Sequence, residues 1–100
     1  MKKLLVTSLM LVLISTPALA GICEDISSLA GVIMDVRQKG APMSTVMDVA
    51  NEQKDAYRPL CRSIVIDAYE SPKYSTESVK AQVISEFTNK YYLACVKSKK

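Results

Sequence analysis

The sequence predicts an all-α domain, a small bundle of about four helices stapled by one disulfide. Three observations lead there. Between the breakers Gly40-Ala41-Pro42, Arg58-Pro59 and Ser71-Pro72-Lys73, apolar residues recur at three- and four-residue steps, the period of a helix with one buried face. The β-branched run Ile64-Val65-Ile66 has no second strand to pair with, and a lone strand is not stable in water. Cys23, Cys61 and Cys95 supply one bridge and leave one thiol over.

Residues 1–20 are read as a signal peptide, apart from this domain. Lys2 and Lys3 form a positive start, Leu4 to Ile14 an apolar run interrupted only by Thr7 and Ser8, and Ala18-Leu19-Ala20 a small-residue end after Pro17. The expected cut lies between Ala20 and Gly21, with Pro17 breaking the helix so that the scissile bond is extended. The apolar run is shorter than the roughly 20 residues of a spanning helix, so no stable membrane anchor is expected after processing. Ala20-Gly21-Ile22 before Cys23 does not fit a lipoprotein signal. Residues 21–100 are thus expected as a single helical domain in the periplasm, or secreted beyond it. In such oxidising surroundings a disulfide persists.

In the first helical segment Ile22, Cys23, Ile26, Leu29, Ala30, Ile33, Val36 and Arg37 share a face, opposite Glu24, Asp25, Ser28, Asp35 and Gln38. Gly40 suits its end. The second segment is expected to start with Ser44 as its cap and to run through Val46, Met47, Val49 and Ala50 toward Tyr57. Pro59 opens the third in its first turn, followed by Leu60, Cys61, Ile64, Val65, Ala68 and Tyr69 on the apolar side. The fourth follows Ser75-Thr76-Glu77 and carries Val79, Val83, Ile84, Phe87, Tyr91, Ala94 and Cys95. Asp55-Ala56-Tyr57-Arg58-Pro59 is echoed by Asp67-Ala68-Tyr69-Glu70-Ser71-Pro72; both read as helix ends meeting a proline, each tyrosine packed on a last turn with its hydroxyl in water.

Cys23 and Cys95 are the expected pair. Each lies on an apolar stripe near one chain end, where a bridge would prevent fraying, and Cys61 remains a buried free thiol. Loop entropy does not choose the pairing, since it is about 4 kcal/mol for either bridge from Cys23.

The composition excludes several functions. The whole chain has 13 Lys+Arg and 10 Asp+Glu; without Lys2 and Lys3, 11 basic residues face the 10 acidic ones. Lys97, Lys99 and Lys100 crowd the end, so no basic face suits nucleic acid. The chain contains no histidine, the commonest general base and metal ligand, and its cysteines lack the close pairing of zinc sites. There is no glycine-rich phosphate loop. Neither a cofactor nor a metal is expected. The pairs Glu24-Asp25 and Asp48 with Glu52 lie on faces aimed at water, and Arg58 and Arg62 flank Cys61 without a C-x-x-C motif.

An early Cys23, an Arg-Gln-x-Gly helix end (Arg37-Gln38-Lys39-Gly40), an Ala-Tyr-x-x-Pro element (Ala68 to Pro72) and a late Cys95 give a layout that resembles small exported proteins of Gram-negative bacteria and their phages, mostly of unassigned function. Around Cys23-Glu24-Asp25 there is a fainter likeness to small periplasmic acid-stress chaperones. The favoured function class is an interaction module, an inhibitor or accessory factor that binds an envelope protein through a surface including Tyr57, Tyr69, Tyr74 and Tyr92, because tyrosine suits interfaces. A stress or chaperone-like protein is the alternative. An enzyme is less expected and would need a site built from carboxylates, tyrosines and Arg37, Arg58 or Arg62.

Overall fold

The computed structural model describes residues 18–98, with four helices and no strand among them. The expectations resting on Lys2 to Pro17 and on Lys99 and Lys100 lie outside these residues.

Helix α1 (Ala18–Gln38) runs through the expected cleavage site, so the Ala20–Gly21 bond has helical rather than extended backbone here. Its far end is set by Gly40, at φ 95°, a conformation that penalises any Cβ. The Gly40 N–H donates to the Arg37 carbonyl and the Ala41 N–H to the Val36 carbonyl, both at 3.0 Å, the paired bonds of a Schellman end.

Helix α2 (Met43–Asn51) differs from its sequence reading at both ends. Pro42, not Ser44, is the N-cap residue, with extended backbone at φ −65° and ψ 142°, a φ to which the proline ring is already fixed. Ser44 lies inside the helix and caps nothing. The helix stops at Asn51, where the Glu52 N–H bonds back to Val49, so residues 52–57 form the loop that was expected to be helix. Tyr57 is therefore not at the end of α2 but directly before helix α3 (Arg58–Glu70), which carries Pro59 in its first turn. The two Asp-Ala-Tyr elements consequently play opposite roles, one before α3 and one at its end.

The apolar side of α3 is as its periodicity requires. Cys61, Ile64, Val65 and Ala68 are buried, whereas Ile66 is 43% exposed, the one-sided pattern of a helix rather than a strand. Helix α4 (Glu77–Ser98) buries Phe87 and Cys95 and half-buries Val83, Ile84 and Tyr91, while Val79 and Ala94 from the same expected stripe are exposed.

Helix α1 packs on α4 and α3, and α2 packs on α3. Cys23 and Cys95 form the disulfide, their Cα atoms 5.5 Å apart, joining the start of α1 to the end of α4. Midway along the same contact, a Cβ built on Gly31 would meet the Thr88 hydroxyl at 2.6 Å, so Gly31 marks a point of close helix approach. The core around Ala30, Met34, Ile64, Val65 and Phe87 is closed by one polar side chain, Gln38, only 1% exposed. Its place on the polar face of α1 in the sequence reading is corrected by its partners: Nε2 donates to the Pro72 carbonyl at 2.9 Å, and Oε1 accepts from the Tyr74 N–H at 2.8 Å. A buried amide satisfied on both sides carries little of the usual desolvation penalty.

Candidate functional site, an apolar groove between two helices

The Gly40 turn reverses the chain but does not bring α1 and α2 together. Both rest on α3 and barely touch each other, which leaves a groove between them of about 300 Å³. Its floor is Cys61 and Val65 from α3, its walls Leu29 and Val36 from α1 and Val46 from α2. The edges, Val32 and Val49, are 60% and 56% exposed. Polar groups are few: Thr45 and Gln53 line it, and the Gln53 amide is turned to the Val49 carbonyl at 3.3 Å. Past Leu29, Gln53 and Cys61, which both spaces share, the groove continues into a smaller cavity of about 130 Å³ bounded by Asp25, Ile26, Tyr57 and Leu60.

The four tyrosines are dispersed. Tyr57, half exposed, stands at the end of the groove. Tyr74 lines a separate cavity beside Phe87 and Lys90, and Tyr92 is exposed on α4. Tyr69 turns inward: its hydroxyl is not in water, as the sequence suggested, but donates to the Ala41 carbonyl at 2.6 Å. Burial pushes its pKa up, opposed by the Arg37 guanidinium 5.1 Å from the ring centre.

The arginines act as bolts between elements. Arg37 donates through Nε and Nη2 to the Ser71 carbonyl at 3.2 and 2.9 Å. Arg58 holds the Asn51 and Gln53 carbonyls at the end of α2 and pairs with Asp55, and Arg62 donates to the Asn51 side chain. The Cys61 thiol is 3% exposed, and burial raises its pKa, the direction that lowers thiolate reactivity. Glu24, Asp25, Asp48 and Glu52 are all exposed, and among the described residues no group of three or more His, Cys, Asp or Glu is placed to hold a metal. No helix among those residues is long and apolar enough to cross a membrane.

Sequence reasoning missed one polar cluster. Asp67 Oδ2 on α3 accepts from Lys90 Nζ at 2.6 Å and from the Tyr91 hydroxyl at 2.7 Å, both on α4. Burial pushes the Asp67 carboxyl up, but these two hydrogen bonds and the Lys90 charge outweigh it and hold its pKa below the ordinary value. Burial, then Asp67 itself, drive the Tyr91 pKa up. The residues lie 23 and 24 positions apart with no periodicity linking them, so only the packing of α3 beside α4 reveals the cluster.

No family model, curated protein or solved structure matches this chain. The groove combines a largely apolar lining with exposed apolar edges, and Thr45 and Gln53 are the polar residues that line it.

Proposed function

We propose that the chain, cut after Ala20, is a periplasmic protein-interaction module that serves as an inhibitor or accessory factor in the cell envelope. The observation that supports this reading is the groove itself: Val32 and Val49, among the most exposed large apolar residues, flank one apolar trough with Tyr57 at its end. Exposed apolar residues grouped along a groove favour binding, whereas scattered ones carry no such meaning. The Cys23–Cys95 bridge suits an oxidising compartment, in keeping with export.

Capture from a periplasmic extract with the wild-type protein, a Val49→Asp variant and a Leu93→Asp control tests the proposal. Leu93 is also exposed, at 58%, but lies on α4 away from the groove. A partner retained by wild type and control and lost by Val49→Asp is expected. A partner lost equally with both variants, or with neither, would show that the groove is not the binding surface.

A further inference from the structure

We infer that the occupant of the groove is a basic amphipathic helix supplied by the partner protein. This rests on the interaction reading above and adds the chemistry of what is bound. The apolar trough is edged by the exposed Val32 on α1 and Val49 on α2 and floored by Cys61 and Val65. At about 300 Å³ it is at the low end of small-molecule sites, which run roughly 300–1,000 Å³, and its most exposed apolar residues are on its edges rather than its floor. Edges of that kind are covered by a helix lying across them, with anchors at i, i+3, i+4 and i+7.

Charge selects among such helices. The α1–α2 limb, from Glu24 to Glu52, carries Glu24, Asp25, Asp35, Asp48 and Glu52 against only Arg37 and Lys39. Both cations are engaged: Arg37 points to Ser71 and Tyr69, and Lys39 pairs with Asp35 at 3.0 Å. Asp25 lines the groove's extension, Glu52 ends α2 next to the lining residue Gln53, and Asp48 directly precedes Val49 in the chain. These three carboxylates are exposed and make no ion pair among the described residues. Arg58 and Arg62 are themselves engaged, since Arg58 donates to the Asn51 and Gln53 carbonyls and pairs with Asp55 at 2.9 Å and Arg62 donates to the Asn51 side chain, which leaves the exposed Lys54 to offset one of the carboxylates. An apolar trough with an acidic rim favours an apolar face with lysine or arginine along its borders and repels an acidic one.

The test uses the exported protein with its disulfide formed and two fluorescent helical peptides, both with leucine at i, i+3, i+4 and i+7, one filled out with lysine and the other with glutamate. Anisotropy titrations are expected to show the lysine peptide binding at least about tenfold more tightly, an advantage that shrinks as salt is raised. The double variant Asp48→Lys/Glu52→Lys should narrow or reverse the preference, and Val49→Asp or Val32→Asp should abolish binding of the lysine peptide while the circular dichroism remains helical. Equal binding of the two peptides overturns the charge assignment yet leaves the groove as an interaction site. Binding of neither peptide, or binding that survives both valine variants, overturns the inference; the capture experiment above then judges the interaction reading independently.

Discussion

The Gln38 side chain fastens α1 to the loop before α4, donating to the Pro72 carbonyl at 2.9 Å while accepting from the Tyr74 N–H at 2.8 Å. Arg37 beside it holds the Ser71 carbonyl, and Tyr69 returns the link to Ala41. The Arg-Gln-x-Gly end of α1 and the Ala-Tyr-x-x-Pro end of α3 are thus two halves of one clasp, and the clasp fixes the turn from which the groove opens.

Gln38→Ala is expected to lower stability by about 2–3 kcal/mol, from two lost hydrogen bonds at about 1 kcal/mol each and a small cavity. Urea denaturation checks it. Gln38→Glu keeps the shape and the acceptor but loses the donor to Pro72 and buries a charge, so it should destabilise at neutral pH and recover part of the loss in acid. A Gln38→Ala midpoint equal to wild type would mean that the clasp contributes nothing.

Gly31→Ala tests the close approach of α1 and α4. In an exposed helix this change would stabilise by up to about 1 kcal/mol, but here the new Cβ meets the Thr88 hydroxyl at 2.6 Å, and that hydroxyl is itself donated to the Ile84 carbonyl at 2.8 Å. Overpacking of this kind costs about 1–3 kcal/mol, so the net effect is expected to be destabilising. Thr88→Ala in the same molecule should restore the loss, and thermal unfolding of the four members of this double-mutant cycle measures the coupling.

Much of the fold was legible because it follows from local periodicity. The stripe of α3, the Gly40 stop and the Cys23–Cys95 pairing each depend on spacing along one helix or on where helices begin and end. What was not legible depends on how helices meet. Gln38 looks like a solvated polar residue until the loop after α3 brings it the Pro72 carbonyl and the Tyr74 N–H, and Ser44 looks like a cap until Pro42 takes that place. The groove residues Val32 and Val49 were visible as apolar but not as neighbours, since nothing in the sequence says that α1 and α2 diverge after the Gly40 turn.

Asp67 gives the pH dependence its sign. Its folded-state pKa is below the unfolded value, so the stability it contributes is present above about pH 4 and is lost as the pH falls through the lower folded value. Asp67→Asn should cost about 1 kcal/mol at neutral pH, a modest figure because the partner Lys90 side chain is 59% exposed. The difference between variant and wild type should shrink below about pH 4, as followed by urea titrations at several pH values. A constant difference down to strong acid would exclude the carboxylate as the cause.

The tyrosines divide into structural and surface groups. Tyr69→Phe removes only the hydroxyl bound to Ala41 and is expected to lower stability by about 1 kcal/mol without affecting partner capture. Tyr57→Ala, at a half-exposed position beside the groove, should weaken capture while leaving the unfolding midpoint nearly unchanged. Scoring capture and thermal midpoint for both variants separates the two roles, and the reverse pattern would show that the groove end is not part of the binding surface.

The bridge between Cys23 and Cys95 should account for a large share of the stability. It closes a loop with a sequence separation of 72, for which chain entropy gives about 4 kcal/mol, and engineered or removed bridges commonly deliver about 2–4 kcal/mol. The paired substitution Cys23→Ala/Cys95→Ala is the right variant, because a single change would leave a second thiol free to form wrong bridges. Its loss should also appear locally, as faster amide exchange at the start of α1 and the end of α4, where the bridge holds the two helix ends together. Cys61 supplies the internal control. Buried at the groove floor with a raised pKa, it should resist alkylation in the native protein and react only on unfolding, whereas Cys23 and Cys95 should be unlabelled in either state until a reductant is added. Peptide mapping that finds label on Cys23 or Cys95 without reduction, with Cys61 protected after unfolding, would show that the pairing is different.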